Sequence, residues 1–211
     1  NRQWIGVDIS HLAVRLILDR LLDSYEDKPQ ERNQLKKSID INGFPKDIAT
    51  AKELAVNPQR GRFKFQDWIV EIMLSGVANP KKVGDGGYDG YITFLKGDKE
   101  KGVILIEVKS GHVGVTNVRE FIHVVDTVNA HLGIFVCFED QLTKGMLLEA
   151  KSAGHFEPDL FGKRYDRIQI LTVEQLLEGI YIDFPAYQNS TFKKASPKTT
   201  SGTPSMDMFQ K

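Results

Sequence analysis

Apolar side chains recur every three or four residues in several stretches of the chain, which is the pattern of helices that bury one face. The clearest stretch predicts a helix that ends at Gly76, and its apolar positions are Phe65, Trp68, Ile69, Ile72 and Met73. Weaker patterns predict helices over residues 12–21, 47–56, 118–128 and 142–153. A capping-box pattern, Thr172 followed by Gln175, begins a last helix that continues to Gly179.

Other stretches have the pattern of β-strands. Residues 91–95 and 103–108 are two apolar segments joined by a short polar loop, which predicts a hairpin. Residues 132–138 are continuously apolar, as in a central strand buried on both faces. Residues 4–8 predict a short buried strand, with Ser10 as a candidate cap of the helix that follows, and residues 167–171 predict another strand. From residue 62 the order is helix, hairpin, helix, strand, helix, strand, helix, which predicts an α/β architecture with a mixed sheet.

Composition narrows the class of protein. The 211 residues are 41% apolar and carry 28 basic and 28 acidic side chains, so the net charge is zero. This balance argues against coating nucleic acid by bulk charge but leaves room for a local basic face. Residues 26–37 are dense in charge, which is typical of a solvated linker or helix face. The segment from residue 186 is rich in Ser, Thr, Pro and Lys, and we expect it to be disordered.

The single cysteine, Cys137, excludes a disulfide framework and a cysteine zinc site. It favours a reducing compartment, so we expect a cytoplasmic protein. No apolar run reaches the roughly 18 to 20 residues of a membrane span. The first residues do not form a charged and then apolar leader, so no signal peptide is expected.

Three residues in the predicted hairpin carry the strongest chemical signal. Side chains alternate along a strand, so Glu107 and Lys109 share one face, and Asp89 precedes the neighbouring strand after a Gly-rich turn. Two adjacent carboxylates repel each other unless a cation neutralises them, and Mg²⁺ needs only one or two protein carboxylates. A bound Mg²⁺ makes a water more nucleophilic, and a lysine beside it stabilises charge on phosphate. The set suits hydrolysis of a phosphodiester, and Arg119 and Lys144 are candidate phosphate contacts.

An alternative interpretation is structural. Glu-x-Lys on a strand is commonly an exposed pair of charges with a small energetic effect. Here the apolar residues around Glu107 predict a mostly buried strand, where a charge without a purpose is costly. The Asp89 turn, 18 residues upstream across the hairpin, favours the hydrolytic interpretation.

Residues 84–90 (GDGGYDG) and 104–109 (ILIEVK) resemble the Mrr-type branch of the PD-(D/E)xK restriction endonuclease superfamily. The resemblance continues through residues 113–121, 133–136 and 170–177 and covers roughly residues 62–179. It implies a restriction-endonuclease-like mixed β-sheet flanked by helices. By the resemblance, the metal ligands are Asp89 and Glu107, the catalytic lysine is Lys109, and the cofactor is Mg²⁺ or Mn²⁺.

One position departs from the family pattern. The family often has a glutamate directly after an aromatic residue of the first helix, whereas here Gln66 follows Phe65. Glu71 is the candidate replacement, and we include it among the expected catalytic residues. Asp85 is an alternative ligand, although an aspartate in a Gly-rich turn commonly serves the turn itself.

The N-terminus resembles a different family. Residues 2–10 are similar to a strand of DNA N4-cytosine/N6-adenine methyltransferases, in which Asp8 would hold the ribose of S-adenosylmethionine. The Gly-rich cofactor loop and the Asp-Pro-Pro-Tyr type motif are absent from the sequence, so this chain cannot transfer a methyl group itself. The alternative is a generic strand and helix packed on the nuclease.

These observations give a domain plan and a function. The plan is a remnant of a preceding methyltransferase-like domain (1–28), a linker or helical segment (29–61), the nuclease domain (62–184) and a disordered tail (185–211). The expected function is metal-dependent cleavage of double-stranded DNA in a restriction-modification system, as a methyltransferase-nuclease fusion and in a possible homodimer. The alternatives are a Holliday-junction or repair nuclease of the same fold, and a non-catalytic DNA-binding module.

Overall fold

The computed structural model describes most of the chain apart from its two ends and a few loop positions. The described residues are 5–8, 11–59, 61–81, 84, 86–96, 100–158 and 162–185. The helices are α1 (His11–Asp23), α2 (Pro29–Ser38), α3 (Ile48–Val56), α4 (Gly61–Asp67), α5 (Val115–Thr127), α6 (Lys144–Ser152) and α7 (Val173–Leu177). The strands are β1 (Val77–Ala78), β2 (Gly90–Leu95), β3 (Lys101–Val108), β4 (Leu132–Cys137), β5 (His155–Phe156), β6 (Tyr165–Asp166) and β7 (Ile168–Thr172).

Within these residues, five strands form one mixed sheet in the order β1-β2-β3-β4-β7. β2 is antiparallel to both β1 and β3, whereas β3, β4 and β7 are parallel to one another. β5 and β6 pair separately. Helices flank the sheet, so the predicted restriction-endonuclease-like α/β class is confirmed.

The two faces of β3 enter two different apolar clusters. Ile104, Ile106 and Val108 pack with α3, α4 and the π-helical segment Trp68–Met73. Leu105, on the opposite face, packs with α5 and α6. β4 is buried at all six positions, as its continuous apolar run predicts. β3 is therefore a central strand, and the charged residues at its carboxyl end lie beside a dry core.

Most predicted elements are confirmed. The helix predicted from residue 65 is present, although its second half takes the π form. The capping box of the last helix is present too: Thr172 Oγ1 accepts from the backbone N–H of Gln175, and Gln175 Oε1 accepts from that of Thr172. The charge-dense residues 29–38 form α2, which buries none of its side chains.

The strand predicted near the N-terminus is wrong for its described part. Residues 5–8 have no regular structure, and Ile5 and Val7 are 94% and 90% exposed. A strand needs a neighbour for its backbone hydrogen bonds, and these residues join neither sheet. The short strands β1, β5 and β6 were not predicted.

Several expectations are not decided by the structure. Trp4, Ser10 and residues 186–211 lie outside the described residues, so the disordered tail stays a prediction. The domain boundaries also stay predictions, although Ala51 and Ala55 of α3 are buried in the same cluster as Phe65. Within the described part of the chain, no helix combines the length and apolarity needed to cross a bilayer.

Candidate active site

The site lies where β2 separates from β3. The register pairs Gly90 with Ile106, so Asp89 and Glu107 are the next residues beyond that pair. The N–H of Asp89 still donates to the carbonyl of Ile106 (2.8 Å), and the N–H of Val108 donates to Oδ2 of the Asp89 side chain (2.7 Å). The carboxylate thus continues the pairing of the two strands by one residue.

Glu107 and Lys109 stand two residues apart on β3 and its extension. Glu107 is 7% exposed, and its carboxylate Oε1 contacts Nζ of Lys109 in an ion pair. The N–H of Lys109 donates to the carbonyl of Val136 in β4 (2.9 Å), which fixes the lysine backbone to the central strand. Asp89, which lies opposite Glu107 in the strand register, is only 6% exposed, so two largely buried carboxylates lie at this end of the two strands.

Asn79 is a residue that the sequence analysis missed. Its N–H donates to the carbonyl of Asp89 (2.7 Å), and its side-chain amide donates to the carbonyl of Tyr88 (3.1 Å). Its side-chain oxygen accepts from the N–H of Lys81 (3.1 Å). Asn79 therefore braces the backbone on which Asp89 is carried. The sequence shows no periodic pattern for such a residue, because its hydrogen-bond partners depend on how the chain folds between β1 and β2.

The donor set fits a hard divalent cation. Carboxylate oxygens are the ligands that Mg²⁺ prefers, and Mg²⁺ retains waters when one or two carboxylates hold it. Among the described residues, no three His, Cys, Asp or Glu side chains come together as a metal-binding group. Asp89 and Glu107 are the residues that would hold such a cation.

Glu71 is not part of a three-carboxylate group with these two residues. It lies half-buried in the π-helical segment, which packs on the Ile104 face of the sheet. Gln66, in the position where the family often has glutamate, is buried on α4. A catalytic role for Glu71 stays a prediction, and Asp85 lies outside the described residues.

Two charged residues on the flanking helices have structural partners. Arg119 on α5 holds Glu149 on α6 through two hydrogen bonds (2.9 and 3.0 Å), which raises the pKa of the guanidinium. Lys52 on α3 binds Asp140, in the turn after β4, and keeps the pKa of that carboxyl below its usual range. Arg119 therefore joins α5 to α6, and its predicted phosphate contact stays a prediction. Lys144 is exposed at the start of α6.

Cys137 and His112 lie in contrasting surroundings, one in the core and one at the surface. Cys137 is fully buried in β4, and this burial raises the pKa of its thiol to about 12. Such a thiol is a small core residue and not a nucleophile. His112 is exposed in the loop between β3 and α5.

The mixed sheet and the charged group at the split between β2 and β3 define a restriction-endonuclease-like domain. The model of the family described as NACHT-associated inactive Restriction Endonuclease 1 matches residues 63–178, more than half of the 211 residues. The chain belongs to this family. Neither curated proteins nor solved structures give a match. The restriction-endonuclease-like part of the resemblance is thereby confirmed, whereas its Mrr-type branch and its activity stay predictions.

Proposed function

We propose that this domain is a Mg²⁺-dependent endonuclease that hydrolyses phosphodiester bonds of double-stranded DNA. The observation that supports it is the complete set of Asp89, Glu107 and Lys109 at one strand end. Two buried carboxylates are costly to a fold that has no use for them. A chain that had lost turnover would be free to replace Glu107 and Lys109 with apolar residues, whereas the Asp89 carboxylate also joins β2 to β3.

Each residue then has a distinct task. Asp89 and Glu107 would hold Mg²⁺, and Mn²⁺ in its place, while Asn79 keeps the backbone of Asp89 in position. The bound cation supplies a more acidic water and stabilises negative charge on a phosphate oxygen. The ammonium group of Lys109 would orient the attacking water or stabilise the charge that develops on the phosphate.

The biological setting belongs to the same proposal. A Mrr-type nuclease of a restriction system would act in the cytoplasm, where a free thiol such as that of Cys137 stays reduced. The similarity of residues 2–10 to methyltransferases supports a fusion with a DNA-modifying domain. Two copies of the domain would cut both strands, each with its own Asp89, Glu107 and Lys109.

A second candidate is a DNA-binding module without turnover. The description of the family as inactive and NACHT-associated favours it. In that case the domain would recognise DNA beside a NACHT domain, and the ion pair of Glu107 and Lys109 would serve only the fold. The two candidates differ in whether DNA is cut and in whether Mg²⁺ is bound.

The test uses end-labelled DNA with the full chain in Mg²⁺, in Mn²⁺ and in EDTA. The substrates are an unmethylated duplex, a methylated duplex and a four-way junction, which separate a restriction enzyme from a junction or repair nuclease. We expect metal-dependent cleavage of a duplex. We expect a loss of about 100-fold or more in Asp89→Asn, Glu107→Gln and Lys109→Met, the range seen when one group that stabilises a transition state is removed.

Lys163→Met is the matched control, because Lys163 also pairs with a carboxylate, that of Asp183, on the surface and in another part of the fold. It should cleave at the rate of the unchanged protein. Binding of DNA with no cleavage in any metal would support the second candidate. Equal cleavage by all variants would remove the assigned residues from the reaction.

A further inference from the structure

The contact between Lys109 and Glu107 has a consequence for cation binding. The Glu107 side chain is 10% exposed and that of Lys109 is 28% exposed, so water screens the pair only in part. A carboxylate in such a place needs a nearby positive charge or hydrogen bonds. The Lys109 ammonium supplies a positive charge at Oε1 of Glu107.

One carboxylate oxygen of Asp89 is engaged in the pairing of the strands. Its Oδ2 accepts the N–H of Val108 at 2.7 Å, and Val108 is buried. This bond joins β2 to β3, so moving Oδ2 away would leave a buried N–H without a partner. With Oδ2 of Asp89 held in the strand pairing, a cation at this site would draw on the Glu107 carboxylate, which Lys109 contacts.

We propose that Lys109 is a resident cation of this site, which occupies the Glu107 carboxylate in the metal-free protein and leaves it when a divalent cation binds. The inference rests on the proposed metal site and adds its regulation. Loading the site then frees the ammonium group to face a phosphate. The metal-free protein keeps its lysine engaged, so it is held in a resting state until the cation arrives.

If Lys109 and the divalent cation compete for the Glu107 carboxylate, a substitution of Lys109 should change the metal affinity in a defined direction. Removing the ammonium group removes the competitor, so Lys109→Met should bind Mg²⁺ or Mn²⁺ about tenfold more tightly, equivalent to about 1.4 kcal/mol. The affinity is measured by isothermal titration calorimetry on the full chain with the metal salt alone. Lys163→Met should bind as the unchanged protein does, and Glu107→Gln should lose binding.

A second measurement separates displacement from simple repulsion between two cations. The rate of reductive methylation of each lysine is read by mass spectrometry with EDTA and with saturating Mg²⁺. We expect the Lys109 rate to rise at least about threefold with Mg²⁺, because ion pairing lowers the reactivity of an amine, while Lys163 is unaffected. Tighter metal binding in Lys109→Met with an unchanged Lys109 rate would show repulsion without displacement and overturn the proposal.

The two proposals fail in different ways. If the unchanged protein and Lys109→Met bind the metal equally, the metal site stands and the resident-cation role is overturned. If neither binds any metal while circular dichroism shows both folded, the metal site itself is lost, and the proposed function falls with it. Binding only by Lys109→Met would support the resident-cation role in its strongest form.

Discussion

The hydrogen bond from Val108 to Asp89 predicts a difference between two substitutions at position 89. Asp89→Asn and Asp89→Ala both remove the negative charge, but only asparagine retains an oxygen that accepts the Val108 N–H. Val108 is 1% exposed and the bond is 2.7 Å long, so alanine leaves a buried donor without a partner. Such a donor costs about 1–3 kcal/mol. We expect Asp89→Ala to be less stable than Asp89→Asn by that amount.

The assay is urea unfolding in EDTA, followed by fluorescence from the buried Trp68, so that no metal contributes to stability. The comparison of alanine with asparagine cancels the change in charge at the site. The control is the same pair of substitutions at Asp27, an exposed residue after α1, where the two variants should differ by less than about 0.5 kcal/mol. Equal stabilities of Asp89→Ala and Asp89→Asn would refute the role of the carboxylate in joining β2 to β3.

Three further predictions concern the core. Gly133→Ala should lower the free energy of unfolding by about 1–3 kcal/mol, because the Cβ of the alanine would lie 2.8–2.9 Å from buried side chains. The side chains it would meet are Phe121, Val125 and Ile168. An unchanged free energy of unfolding in urea would contradict this prediction. Burial, together with the nearby charges of Lys96 and Arg167, lowers the pKa of His131 below 6.5. Because the folded state disfavours the protonated imidazole, the free energy of unfolding should have its full value above pH 6.5 and should fall as the pH drops through the folded-state pKa. His131→Asn should flatten the pH dependence of unfolding between about pH 5 and 7, and an unchanged slope would refute it. Cys137, buried and with a pKa near 12, should react with a disulfide thiol reagent only after unfolding, so a fast reaction of the native protein would contradict its place in the core.

The long elements could be predicted because each carries its own pattern. The apolar run of β4 and the helical spacing after Phe65 specify burial through local sequence alone. β1, β5 and β6 have two residues each, too few to show a period, and their pairing is decided by distant parts of the chain. The N-terminal segment gives the opposite case. Its apolar residues predict a strand that ends near Asp8, but residues 5–8 pair with no neighbouring strand.

Some features of the candidate site could be predicted from local sequence, and others could not. Alternation along β3 predicts that Glu107 and Lys109 share a face, and the Gly-rich turn predicts Asp89 near them. The hydrogen bond from Val108 and the brace from Asn79 depend on the register of β1, β2 and β3, which the sequence does not display. No sequence pattern reveals that Arg119 binds Glu149, thirty residues away, and the phosphate contact of Arg119 stays a prediction.

The central claim is that Asp89, Glu107 and Lys109 form a working hydrolytic centre within a family described as inactive. The most direct measurement is the conversion of supercoiled plasmid to nicked or linear DNA, methylated and unmethylated, by the purified chain in Mg²⁺ and in EDTA beside Glu107→Gln. We expect conversion that requires Mg²⁺ and is lost in Glu107→Gln. No conversion of either plasmid by the folded, metal-bound protein, or equal conversion by Glu107→Gln, would contradict it.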